Sequence, residues 1–235
     1  MLKKELIERS PLRILEKSIH GGVGKGNIGV IASKKGVGKT ACLVHLATDQ
    51  LFQGKHVIHV SFSNDTKHII SWYEDIFQEI SKRRELEHAM EVHNEIIHNR
   101  VIMNFNFSTR RIPEVLERIE SMISQANFKA DCVVVDGYNF PEGNVNELKE
   151  IREFANKHGL EFWFSATVPE GDKSLLSEHV TPEILTNYLS EIAIVIMLKP
   201  IDGIIHLRLL KDHDQAYDED LHLKLDPKIL LISRE

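Results

Sequence analysis

Cysteine is scarce in this sequence, and long apolar runs are missing. Only Cys42 and Cys132 occur in 235 residues, and each falls in a segment predicted to be buried, where cysteine behaves as a small hydrophobic residue. The sequence therefore indicates no disulfide framework. No stretch approaches the roughly 18 uncharged apolar residues of a membrane-spanning helix, and charges are scattered through residues 1–19. We therefore expect a cytoplasmic protein with no membrane partner.

The sequence also lacks an excess of positive charge. The formal net charge of -6 gives no general attraction for a polyanion. The two dense basic spots, Lys82-Arg83-Arg84 and Arg110-Arg111, lack the paired aromatic residues on which bases would stack. We interpret both spots as solvated charges and do not expect nucleic acid as a partner.

Apolar runs of β-forming residues alternate with amphipathic helical stretches along most of the chain. This alternation predicts an α/β fold with a mostly parallel sheet covered by helices on both faces. The predicted strands are residues 27–32, 56–62, 101–106, 131–136 and 161–167. The predicted helices are residues 39–53, 66–99, 111–126 and 146–158, with a possible break near Ser81.

The end of the chain follows a different pattern. Residues 192–198 and 204–210 are strand-like and flank a turn at Asp202-Gly203, which predicts an antiparallel hairpin. An acidic loop at 217–220 and a short last strand at 221–225 should follow. We expect one domain over 1–235, with a helical extension at 1–20 and a β-hairpin extension at 192–235.

Residues 33–40 (SKKGVGKT) match the phosphate-loop pattern G-x-x-x-x-G-K-[ST] except at Ser33. In such a loop the backbone amides converge on phosphates, glycines permit the necessary dihedrals, the lysine approaches the β and γ oxygens, and the hydroxyl binds Mg²⁺. An apolar strand precedes the loop and a helical run follows it, which is the required context. The predicted nucleotide-binding residues are Ser33, Lys34, Lys35, Gly36, Val37, Gly38, Lys39, Thr40 and Ala41.

Asp136 follows the apolar residues 132–135. A carboxylate at the carboxyl end of a strand neighbouring the loop strand can hold Mg²⁺ through water, so we predict Thr40 and Asp136 as the metal residues. The upstream run 21–26 (GGVGKG) also contains Gly-Lys, but Gly26 supplies no hydroxyl. We interpret that run as a turn.

The chain resembles the RecA/KaiC branch of the P-loop ATPases, which includes RadA-like and DnaB-like motor domains. The resemblance covers nearly the whole sequence: the Gly21-Gly22 pair, the phosphate loop, the runs HVIHVSF, VIMNFNF, CVVVD and FWFSATVPEG, and the closing LRLLKDHD. It implies a RecA-like fold that binds ATP or ADP with Mg²⁺, and a homo-oligomer or a protein partner. It also implies that Lys211 and His213 stand for the family's Lys-x-Arg element, which reaches the nucleotide of an adjacent subunit.

Three departures from that family fall on the hydrolysis step. Ser63 and Asn64 stand where glutamates would activate water, His213 replaces the arginine, and the sensing position near Ala166 and Thr167 has only Ser165 as a polar neighbour. Since losing a general base typically removes a factor of about 10²–10⁴ in rate, we predict a nucleotide-dependent switch with slow hydrolysis or none.

Alternatives to the switch stay open. An active ATPase could use Asp65 as the base, and an ATP-dependent DNA-binding recombinase or helicase relative would share the same motifs. The third alternative is a ParA/MinD-type loop, because Lys34 stands five residues before Lys39. The runs that follow fit that group less well.

Overall fold

A computed structural model describes residues 1–62, 66–105, 112–175, 180–229 and 231–234, with the backbone alone at residues 66 and 218. The strands in these ranges are β1 (Ile28–Ser33), β2 (Val57–Ser61), β3 (Arg100–Asn104), β4 (Cys132–Asp136), β5 (Glu161–Thr167), β6 (Ile194–Ile201), β7 (Ile204–Asp212), β8 (Gln215–Leu225) and β9 (Ile232–Arg234). The helices are α1 (Lys3–Glu8), α2 (Leu12–Ser18), α3 (Lys39–Phe52), α4 (Thr66–Arg83), α5 (Ala89–His98), α6 (Ile112–Ser124) and α7 (Val145–His158). Two short 3-10 helices span Lys173–Leu175 and Glu183–Tyr188.

The nine described strands form one mixed sheet in the order β3-β2-β4-β5-β1-β6-β7-β8-β9. β1 to β6 run parallel to one another, and β7, β8 and β9 continue the sheet in antiparallel pairs. The α/β class, the mostly parallel sheet and the closing antiparallel hairpin are therefore confirmed.

Helices cover both faces of the parallel part, because alternate strand residues pack into two separate cores. Ile31, Val57 and Val134 face the core formed with α1 to α5. Val30, Ile58 and the other residues of the opposite phase face α6 and α7. A strand buried on both faces needs apolar residues without alternation, which explains the unbroken valine run of β4.

Three elements differ from the sequence-based predictions. The stretch 66–99 forms two helices, and the break falls after Arg83 instead of near Ser81. The predicted loop at 217–220 is wrong, because these residues lie inside the long strand β8. A further strand, β9, pairs with β8 beyond the last predicted element.

No helix in the described ranges combines the length and the apolar character needed to cross a bilayer.

Candidate functional site

The loop at 34–38 connects the end of β1 to the beginning of α3, and two of its residues need to be glycine. Gly36 and Gly38 have φ angles of +82° and +114°, in the region that residues with a Cβ avoid. At Gly38 an added Cβ would also lie 2.6 Å from the Leu225 Cδ2 atom. The sequence pattern and the backbone therefore agree on a sharply turned loop at the amino end of a helix.

Lys39 is folded back into this loop. Its side chain is 8% exposed, and its Nζ donates to the Lys34 carbonyl at 2.9 Å and to the Ser33 carbonyl at 3.2 Å. Burial lowers the pKa of Lys39 to about 8, and the nearby negative charge of Asp136 opposes that shift. The ammonium group is thus held close to the loop's backbone, where it can exchange carbonyl partners for an incoming anion.

Thr40 and Asp136 are brought into contact. Thr40 Oγ1 donates to Asp136 Oδ2 at 2.8 Å, and Ser165 Oγ donates to Asp136 Oδ1 at 2.6 Å. The Gly137 amide in turn donates to Ser165 Oγ at 3.0 Å. A hydroxyl and a carboxylate at one point offer the hard oxygen ligands that Mg²⁺ prefers.

The placement of Asp136 needs one correction. β4, which carries it, is not a neighbour of β1, because β5 lies between them. The contact forms because helix α3, which begins directly after the loop, packs against the face of the sheet to which Asp136 belongs. The expectation that Asp136 lies on a strand next to β1 is therefore wrong, although the two predicted metal residues, Thr40 and Asp136, are in contact.

A row of polar residues crosses the carboxyl ends of four strands. Ser61 on β2 stands opposite both Asn104 on β3 and Asp136 on β4, and Ser165 on β5 bonds to Asp136. Ser61 is fully buried. The Asn104 Oδ1 atom is buried and has no hydrogen-bond partner among the described residues.

Sequence reasoning gave no role to Ser61 and Asn104. The available signal was that each is a polar residue at the last position of its strand. The pairing that aligns them with Asp136 is a tertiary feature, which the pattern within one strand does not specify.

Beneath this row lies a neutral histidine. His59 is fully buried on β2, and its Nδ1 atom lies 3.0 Å from the Tyr73 hydroxyl. Burial lowers the pKa of His59 to about 4; the negative charge of Asp136 acts against the shift and Arg100 adds to it. The Arg100 guanidinium stacks 4.2 Å from the centre of the Tyr73 ring.

The structure also places the other predicted loop residues. Lys34 and Lys35 are exposed, Val37 is half-buried and Ala41 is buried. Lys34 contributes its carbonyl to Lys39, whereas its side chain faces solvent. The ParA/MinD-type alternative, which depends on Lys34, stays a prediction.

Lys211 and His213 are not brought to the loop of their own chain. Lys211 pairs with Val195 near the beginning of β6, at the end of the sheet opposite to the loop. Its Nζ donates to the Ile192 carbonyl at 2.6 Å and to the His213 carbonyl. Any contact between these residues and a nucleotide would involve a second copy, and it stays a prediction.

The predicted hydrolysis residues have different outcomes. Ser63, Asn64 and Asp65 lie outside the described residues. Ala166 is buried, and Thr167 is exposed at the end of β5. Ser165, previously only the nearest polar neighbour of these two, proves to be a direct partner of the Asp136 carboxylate.

No protein-family model matches the chain. A search of curated proteins also gives no match.

Proposed function

We propose that this chain is a RecA/KaiC-like P-loop protein that binds Mg·ATP at residues 33–41 and acts as a nucleotide-dependent switch with slow or absent hydrolysis. The observation that carries the proposal is the joint placement of Lys39, Thr40 and Asp136 at the carboxyl edge of the parallel strands. The loop's ammonium and hydroxyl groups, together with a carboxylate from a separate strand, are the three side-chain groups that such a site uses to hold a magnesium–triphosphate complex.

The amino end of α3 supplies the rest of the phosphate cradle. The first four amides of an α-helix have no partner within the helix, and the first helical bond here runs from the Cys42 amide to the Gly38 carbonyl. The helix dipole adds a partial positive charge at the same point. Phosphate oxygens placed there would meet several donors and the Lys39 ammonium together.

The inference of slow turnover comes from the charges along the carboxyl ends of the strands. Ser61, Asn104, Asp136 and Ser165 line the described part of this edge on the α3 side, and only Asp136 carries a charge. Its two oxygens already accept bonds from Thr40 and Ser165, which suits a metal-holding role better than abstraction of a proton. A neutral hydroxyl or amide can orient a water molecule but does not deprotonate it at neutral pH.

Calorimetric titration with ATP and ADP, with and without Mg²⁺, tests the binding part of the proposal. We expect wild type and Lys149→Ala to bind Mg·ATP with similar affinity, because the Lys149 side chain is exposed on α7, which packs on the face of the sheet opposite to α3. Lys39→Ala should lose most of the affinity. Absence of binding to wild type, or equal affinity in Lys39→Ala and Lys149→Ala, would refute the nucleotide assignment.

Phosphate release separates the switch from the active ATPase that uses Asp65. Slow release that is unchanged in Asp65→Ala supports the switch. Turnover near one per second that disappears in Asp65→Ala would establish the enzyme instead, at a rate within the usual range of about 1–10³ per second.

A further inference from the structure

A cavity lies away from the phosphate loop. It has a volume of about 350 Å³ and is enclosed by α1, the second half of α3, the carboxyl end of α4 and the segment that leads into β9. Apolar side chains form much of its wall, including Leu6, Phe52, Ile80, Leu231 and Ile232. This volume falls in the range of about 300–1,000 Å³ that is typical of small-molecule sites.

A neutral histidine supplies one polar group inside the cavity. The His45 Nδ1 atom accepts the Ile232 amide at 2.9 Å, so the ring proton resides on Nε2. Burial lowers the pKa of His45 to about 4, which keeps the ring uncharged at neutral pH. His45 lines the cavity and brings a hydrogen-bond donor without a charge.

Asp49 also lines the cavity, but its charge is already compensated within the protein. Its Oδ1 atom accepts the Ser10 hydroxyl at 2.5 Å. Its Oδ2 atom accepts from Gln53 Nε2 at 2.8 Å and from the Arg13 guanidinium. The carboxylate therefore does not call for a cationic ligand.

The mouth of the cavity carries positive charge. Arg83 and Arg84 line it, and both are exposed. Arg83 donates to Glu79 at 2.6 Å, whereas no described carboxylate lies within ion-pair distance of Arg84. Two carbonyl groups at the end of α4 already accept hydrogen bonds, so they would repel an anion at the mouth less than free carbonyls would. The Ile80 carbonyl accepts the Arg84 amide at 3.0 Å, and the Ser81 carbonyl accepts the Leu86 amide at 3.0 Å.

We propose that this cavity binds a small amphipathic carboxylate, whose apolar tail packs among Leu6, Phe52 and Ile80 and whose carboxylate pairs with Arg84 at the mouth. The apolar wall gives affinity for the tail, since burial of each methylene is worth about fourfold in affinity. The uncompensated guanidinium selects the negative head group.

The same elements connect the cavity with the phosphate loop. His45 lies on α3, the helix that begins at Lys39. On the other wall, Ile232 pairs with Leu225 of β8, and the Leu225 side chain packs directly against Gly38. A ligand that fixes β9 against α3 therefore alters nucleotide affinity; this regulatory part rests on the proposed function.

Titration calorimetry with octanoate tests the binding site, with octan-1-ol and octylammonium as probes that change only the head group. We expect octanoate to bind with one site per chain and at least fivefold more tightly than octylammonium. Arg84→Gln should weaken octanoate about 1.5- to 5-fold, the range of one exposed ion pair. The matched control, Lys82→Gln, removes a charge from the same helix turn outside this cavity and should leave the affinity unchanged.

The length of the ligand tail tests the cavity itself without any variant. From butyrate to hexanoate to octanoate we expect the affinity to rise by about fourfold for each methylene. No octanoate binding, an affinity independent of chain length, equal binding of octylammonium, or no effect of Arg84→Gln would each overturn the site.

A separate titration with Mg·ATP tests the regulation. Saturating octanoate should change the ATP dissociation constant at least twofold, and an unchanged value would refute the coupling. If ATP does not bind at all, the proposed function and the coupling both fail, while the octanoate measurements still decide the site.

Discussion

Lys39 provides a sharp prediction, because its ammonium group is buried and burial lowers its pKa. Its pKa of about 8 means that raising the pH above 8 removes the proton in the free protein. A bound triphosphate restores the positive charge by attraction and raises that pKa. Nucleotide binding above pH 8 must therefore take up a proton, and the affinity should fall as the pH rises.

The size of this effect follows from the pKa alone. With a pKa of about 8 in the free protein and an ammonium group that keeps its proton in the complex, the Mg·ATP affinity should fall about eightfold between pH 7.5 and pH 9. At pH 8, half of the free protein carries the proton, so about half a proton should be taken up per ATP bound. A lysine of ordinary pKa, about 10.4, would give almost no change over this interval.

Calorimetry in buffers of different ionisation enthalpy measures both quantities in wild type. The terminal phosphate of ATP does not obscure the result, because the second pKa of such phosphates is about 6. Lys149→Ala is the control and should show the same pH dependence, since that exposed side chain lies on α7, outside the phosphate loop. A constant affinity between pH 7.5 and pH 9, or release of protons on binding, would refute the placement of Lys39.

Three further predictions concern stability, each measured by urea denaturation. Ser165→Ala leaves a carboxylate oxygen and a backbone amide without their partner, so it should lower the free energy of unfolding by about 1–3 kcal/mol. The control is Ser121→Ala, because the Ser121 hydroxyl bonds only to its own helix. Equal losses in the two variants would contradict the prediction. Gly38→Ala should lower the free energy of unfolding by about 1–3 kcal/mol through backbone strain and further through a clash with the Leu225 side chain. The loss should therefore be smaller when Leu225 is also replaced by alanine. Additive losses in the double variant would contradict the contact. His45 has a pKa of about 4 in the folded protein, below its usual value, so the free energy of unfolding decreases as the pH falls from about 6.5 toward 4. Between pH 7 and pH 5, His45→Gln should lose about 2 kcal/mol less of this free energy than wild type. Identical losses would show that this ring does not titrate as described.

The sequence predicted the elements better than their pairing. A short apolar run predicted each buried strand of the parallel part. Residues 33–40 carry a local pattern, and the turn of the loop depends on the glycines within that pattern. The row formed by Ser61, Asn104 and Asp136 was not foreseeable in the same way. It depends on the register of separate strands, and register is fixed by the assembled sheet.

Two misplaced boundaries have physical reasons. The chain leaves α4 through residues of positive φ, Glu85 at +47° and His88 at +54°, although neither is glycine, so no ordinary stop signal marked the break. The acidic residues at 217–220 suggested a loop, yet they lie in β8, a strand that pairs with β7 through its backbone. Glu219 is exposed there, so the strand tolerates a charge that a buried strand would exclude.

The central claim is that the protein holds Mg·ATP without consuming it quickly. It is tested most directly by mixing radiolabelled Mg·ATP with a slight excess of protein, collecting the complex on filters at intervals from one second to one hour, and separating ATP from ADP. We predict that the label is retained and that bound ATP is converted to ADP more slowly than about 0.1 per second. This limit is a median enzyme rate of about 10 per second, lowered by a factor of about 10² for the missing base. Retained label that becomes ADP at about one per second or faster, or no retained label at all, would contradict the claim.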